Sequence, residues 1–240
     1  MKPMLPLLLA ACLAAPMAAR ADDGLLAPFT ADYDVHYGSV DVGSSRTRVQ
    51  RSGEPGQWII ESHSSASGLA RLVASGTLLQ RSTFELDAAG VRPVSYHFDD
   101  GTKQSSRDVR LEFDWHASRV RGIAEDEPVD VAAAPGLQDA ASIQALVLAR
   151  LRSGVEPGAI DMIEKDRIKR YEYTLLRREH LKTAIGEFDT VVYRSARSGS
   201  GRETLFWYAP ALGYALVRAE QRRDGKRAFR TTIRRYQQQG

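Results

Sequence analysis

The chain is short of cysteine, of catalytic signatures and of net charge, and each shortage closes a class of protein. Cys12 is the single cysteine among 240 residues, so no internal disulfide can form and no thiol cluster can hold a metal. Lys and Arg number 33 against 30 Asp and Glu, too even a balance for a nucleic-acid binder, which needs a clear positive surplus. No Gly-x-Ser-x-Gly elbow is present, and Ser62, Ser64, Ser65 and Ser67 around His63 lie on a strand pattern whose adjacent residues point to opposite faces. His36, His63, His97, His116 and His180 share no short metal-ligand spacing. Glu125, Asp126, Glu127 and Asp130 lack the spacing of a calcium loop and read as a solvated connection. Ser198-Gly199-Ser200-Gly201 has no helix after it and reads as a hairpin tip rather than a phosphate cradle. Catalytic residues, cofactor and metal are therefore all expected to be absent. Past residue 21 no apolar run is long enough to span a bilayer.

What is present begins with an export signal. Lys2 precedes an apolar stretch from Leu5 to Ala19, and Ala19-Arg20-Ala21 supplies a small-residue cleavage site ahead of Asp22. Residues 1–21 are read as a signal peptide and 22–240 as one β-rich domain in the periplasm. Cleavage removes Lys2, Arg20 and Cys12, leaving 31 basic against 30 acidic residues. The alternative is lipidation at Cys12, since Leu9-Ala10-Ala11-Cys12 has lipobox spacing, which would anchor the chain to a membrane.

Period-two alternation dominates the remainder. Phe29, Ala31, Tyr33, Val35 and Tyr37 oppose Thr30, Asp32, Asp34 and His36, and Val109, Leu111, Phe113 and Trp115 oppose Asp108, Arg110, Glu112, Asp114 and His116. Strands are expected also at 40–50, 58–65, 77–86, 93–99, 170–178, 188–195, 203–208, 214–222 and 227–236. Asp100-Gly101 and Asp224-Gly225 read as tight hairpin turns. One segment departs from this pattern: in 140–152, Ile143, Leu146, Val147 and Leu151 repeat at helical spacing, Asp139 is placed to cap the start and Gly154 to end it. The fold expected is mainly β, a curved antiparallel sheet forming an open half-barrel or roll, with strand sets 29–131 and 160–237 joined by one substantial helix lying across a face.

Two surfaces remain as candidates. Phe113, Trp115, Phe206, Trp207 and Tyr208 lie on strands whose faces both carry apolar residues, suggesting an inner lining that could enclose a ligand, with Phe113, Trp115, Trp207 and Tyr208 as the candidate ligand-binding residues. Arg218, Arg222, Arg223, Arg227, Arg230, Arg234 and Arg235, with Lys226, form a basic stripe that either protects a strand edge or meets an anionic envelope polymer or lipid headgroup.

Tyr33-Asp34-Val35-His36-Tyr37-Gly38, Val42-Gly43, Asp139 with Ser142, Gly186-Glu187-Phe188, Trp207 and Leu212-Gly213-Tyr214 occur in this order. On them the chain resembles an uncharacterised family of Gram-negative periplasmic proteins, a domain of unknown function. The resemblance implies a fold similar to the lipoprotein-localisation carriers, in which a curved sheet wraps an apolar cavity lidded by helix, and it brings no activity. The expected function is a non-enzymatic periplasmic binding or carrier protein for a lipid, acyl chain or lipidated partner. The alternative is an envelope scaffold that binds protein or glycan through the basic strand face.

Overall fold

The computed structural model describes residues 24–68, 76–87, 89–102 and 106–239. The signal-peptide reading and Cys12 lie outside them. Eight strands precede a helix and six follow it: β1 Phe29–Tyr37, β2 Val40–Arg51, β3 Gln57–Ala66, β4 Thr77–Asp87, β5 Gly90–Asp99, β6 Val109–Asp114, β7 Arg119–Ala124, β8 Glu127–Ala132, α1 Ser142–Arg152, β9 Gly158–Glu164, β10 Arg167–Thr183, β11 Gly186–Ala196, β12 Arg202–Ala209, β13 Ala215–Arg223 and β14 Lys226–Gln238. They form one antiparallel sheet, in the order β8 to β1, then β14 back to β9, and the sheet is not closed. Two meanders are thus joined where the first and last strands pair, with Tyr33 opposite Ile233.

Fourteen flat strands would span about 60 Å. Val129 of β8 and Ile160 of β9, at opposite edges, nevertheless share one core with α1, so the sheet is rolled around the helix. Register defines the inner lining: Phe29, Val49, Ile60, Ser82, Tyr96, Leu111, Gly122 and Val129 are consecutive partners from β1 to β8. The gap between the two edges is bridged by the segment before the helix. Gln138 donates its N–H to Asp161 O at 2.9 Å and accepts from Ile163 N at 2.8 Å, a parallel bridge to β9. Its side-chain amide donates to Val91 O on β5 at 2.9 Å.

The helix differs from the expected lid. Ser142, Ile143, Ala145, Leu146, Val147, Leu148, Ala149 and Leu151 are all buried, so apolar contact surrounds α1 instead of forming one stripe. It enters the barrel as a plug and packs against β4 and β5. The cap, in contrast, is as expected. Asp139 Oδ1 accepts the N–H groups of Ala141 and Ser142, both at 2.8 Å, while Ser142 Oγ accepts the Asp139 N–H at 2.9 Å, a reciprocal capping box. The regular helix starts at Ser142, two residues later than the sequence pattern indicated.

Three further expectations are corrected. Asp100-Gly101 is not a two-residue hairpin: β5 ends at Asp99 and β6 begins at Val109. Asp99 and Asp100 instead fold back on the backbone, accepting from Gly101 N and Thr102 N at 2.7 and 2.9 Å. The acidic connection at 125–130 is a hairpin, Glu125 and Asp126 forming its turn at positive φ and Glu127–Ala132 its second strand. β9, Gly158–Glu164, was not assigned as a strand of its own, although the second strand set was expected to begin at 160. Asp224-Gly225 does turn β13 into β14, with φ of 49° and 75°.

Candidate functional site

The inner wall around α1 is asymmetric. One flank of the helix rests on β4 and β5. The other faces a crevice of about 50 Å³ lined by Phe29, Tyr33, Thr47, Ile60, Gln144, Leu148, Phe206, Tyr208 and Leu216. The alternation that dries β1 places Phe29 and Tyr33 here, and β12 contributes Phe206 and Tyr208 by the same period. Phe206 stacks on Tyr208 at 6.0 Å between ring centroids and on Tyr173 at the same distance, and Tyr193 meets Tyr208 edge-on at 6.4 Å. The Tyr33 hydroxyl donates to Leu216 O at 3.1 Å. Burial pushes the Tyr33 and Tyr208 phenols above their ordinary range, so both stay neutral. The crevice is walled mainly by aromatic and aliphatic side chains, with Thr47 and Gln144 as its polar members and no charged residue.

The four residues singled out in the sequence do not converge. Tyr208 lines the crevice. Phe113 is core, stacked on Trp115 at 5.8 Å. Trp115 donates its indole N–H to Pro93 O at 2.6 Å and lines a separate surface cleft of about 360 Å³ with Val91, Arg92, Pro135 and Gly136. Trp207 alternates with Phe206 and Tyr208 and therefore occupies the outer face, although it is only 2% exposed. There its N–H donates to Glu179 Oε1 at 2.5 Å, and the guanidinium carbons of Arg177 and Arg218 sit 5.8 and 5.6 Å from its ring centre. Burial raises the Glu179 carboxyl, but the indole and the two arginines outweigh it and hold it below its usual range. Phe206, grouped with these aromatics in the sequence, also lines the crevice, whereas sequence reasoning missed Phe29, Tyr33, Thr47, Ile60, Gln144, Leu148 and Leu216. Alternation alone could have nominated the strand residues; the helix residues needed the plug geometry.

Beside the crevice lies the one deeply buried acid in the helix turn. Asp139 is fully buried, and besides its cap bonds it accepts the Ser82 hydroxyl of β4 on Oδ2 at 2.7 Å. Burial pushes its carboxyl up to about 6, although the bonds from Ser142, Ser82 and Ala141 pull the other way. The Ser82 bond ties the plug to the wall.

The outer basic stripe is neutralised only in part: the buried Glu220 lies 3.1 Å from Arg222 and 3.6 Å from Arg227, and Asp34 lies 3.5 Å from Arg234. Among the described residues no helix is long and apolar enough to cross a membrane.

Comparison with known proteins agrees with this architecture. The profile of a family described as "Protein of unknown function (DUF3108)" matches residues 32–229. No protein of curated function matches the chain. Among solved structures it is similar to a β-barrel-like protein of the domain of unknown function DUF1849 from Brucella abortus, with 11% identity, a TM-score of 0.56, and coverage of 92% of this chain and 99% of that one. A candidate lipoprotein from Parabacteroides distasonis (10% identity, TM-score 0.38, 89% and 96% covered) and a candidate exported protein with a YmcC-like fold from Bacteroides fragilis (11%, 0.39, 87% and 95%) also match.

Proposed function

The chain belongs to the family described as Protein of unknown function (DUF3108), and from that premise we propose a non-enzymatic, periplasmic binding protein that takes the end of an acyl chain, lipid or lipidated partner between α1 and β12–β13. The observation that carries this reading is the crevice itself: an apolar, uncharged void reaching the surface between Leu148 of the plug and the rings of Phe206, Tyr208 and Tyr33. Apolar surface left beside a filled core is unusual because interiors pack to near-crystalline density.

Its size bounds the reading. At about 50 Å³ the crevice is well below the roughly 300 Å³ at which ligand pockets begin. The lipid-sized cavity expected from the sequence is filled by α1. In this conformation only a chain end fits.

Titration with a fluorescent fatty acid, backed by native mass spectrometry, tests it. Wild-type protein should take up the probe saturably, Leu148→Trp should lower uptake at least tenfold with an unchanged circular dichroism spectrum, and Trp115→Ala should leave it intact. An apo mass with no uptake by the wild type removes the reading. Loss of uptake in Trp115→Ala alone would move the ligand to the surface cleft and overturn the crevice as its site.

A further inference from the structure

The outer face carries a second concavity that no part of the reading above uses. Where β14, β1, β2 and β3 meet, Asp32, Ser44, Arg46, Arg48, Glu61, His63, Ser65 and Arg234 surround a basin of about 360 Å³. A smaller one of about 170 Å³ adjoins it and shares Asp32, Arg46 and Arg48, adding Arg235 and Thr30. Two arginines come from β2 and two from the last strand, roughly 190 residues apart in sequence, brought together because β1 lies between them.

The charges in this basin do not cancel. Arg46 holds Asp32 through both nitrogens, Nε to Oδ1 at 2.6 Å and Nη2 to Oδ2 at 3.3 Å. Glu61 is engaged by Arg81 at 3.2 Å and His63 at 2.8 Å. Arg234 reaches Asp34 at 3.5 Å. Arg48 and Arg235 are both exposed; Arg235 stands opposite Asp32 and, with Arg46 and Arg234, helps hold that one carboxyl low, so three arginines share a single acid while Arg48 has no ion pair among the described residues. Arg235 is opposite Asp32 and Arg48 is opposite Thr30, two strands across and two residues along, so their Cα atoms stand about 12 Å apart. That separation lets two extended guanidinium groups close on one small anion over the Asp32–Arg46 pair.

The geometry points to an anion site in the smaller basin, specific for a phosphate-bearing ligand that Arg48 and Arg235 clamp from opposite sides. Guanidinium forks match the paired oxygens of a phosphate bidentately, which a single carboxylate cannot offer to two of them at once. The Asp32–Arg46 pair is common to both basins, and Thr30, Gln237 and Gln239 complete the lining of the smaller one. Such a phosphate could come from a lipid headgroup or from a phosphorylated sugar, and the shared chemistry is the same.

Calorimetric titration of the full chain at low ionic strength decides it, with inorganic phosphate as the first probe. Wild-type protein should bind with one saturable site. The double variant Arg48→Gln/Arg235→Gln should bind at least tenfold more weakly, and Arg170→Gln, an exposed arginine paired with Asp161 on β10, should match the wild type. Glucose 6-phosphate and phosphatidylcholine vesicles containing phosphatidic acid then separate the two sources; binding of either or both supports the site. No saturable binding of any probe, or equal binding by wild type and double variant, overturns it. Fatty-acid uptake by the double variant should be unchanged, so failure here is distinguishable from failure of the inner crevice.

Discussion

Replacing Asp139 by asparagine isolates the electrostatics of the plug from its shape. The carboxyl stands at about 6 in the folded chain against an ordinary 3.8. The folded state therefore holds the proton more tightly than the unfolded chain. Stability contributed by this group is fully present below pH 3.8 and falls as the pH rises to about 6, because the folded state binds more protons throughout that window. Two units correspond to about 3 kcal/mol, and the group is fully buried, so solvent does not screen the effect. Asparagine keeps an oxygen for the Ala141 and Ser142 N–H groups and can donate to the Ser82 hydroxyl, but carries no titratable proton. Urea denaturation followed by tryptophan fluorescence at pH 4 and pH 7.5 should show the two proteins alike at pH 4. At pH 7.5 the asparagine variant should be the more stable by up to about 3 kcal/mol. Asp139→Ala should be less stable than asparagine at both values, since it leaves three buried donors unpaired at about 1–3 kcal/mol each. A wild-type minus asparagine difference that stays constant with pH, or changes in the opposite direction, would refute the reasoning.

Two more outcomes follow from the strands. His180 lies between Asp189 at 3.0 Å and Glu187 at 3.2 Å, whose hydrogen bonds, Asp189 first, raise its imidazole above the ordinary 6.5; an NMR titration should place its midpoint above that value, and Asp189→Asn should lower it. A midpoint unmoved by that substitution would reject the pairing. Gly122 sits at φ 155°, and a Cβ there would lie 1.9 Å from Arg110 O on β6, so Gly122→Ala should destabilise by at least about 1–3 kcal/mol through local strain, read as a lower thermal midpoint.

Much of the sheet was legible because alternation is a property of neighbouring residues. Tyr33, Leu111 and Phe113 announce their buried face within five residues of chain, and the Asp139 cap is written in the four residues from Asp139 to Ser142. The turn at Glu125-Asp126 was missed because acidic residues read as solvent-facing, whereas here both adopt positive φ. β9 was not assigned as a separate strand because Gly158–Glu164 is apolar on both faces and so shows no clean period of two.

Sequence alone determined the buried faces of the cleanly alternating strands, the Asp139 cap and the mainly β character of the chain, since each follows from local sterics, hydrogen bonding and periodicity. Tertiary structure decided that α1 fills the barrel instead of covering it, that Trp207 belongs to the outer face while its neighbours line the crevice, and that Arg48 and Arg235 line one basin across β1. Those depend on how far fourteen strands curl and on β1 pairing with β14, long-range closures that no local pattern encodes.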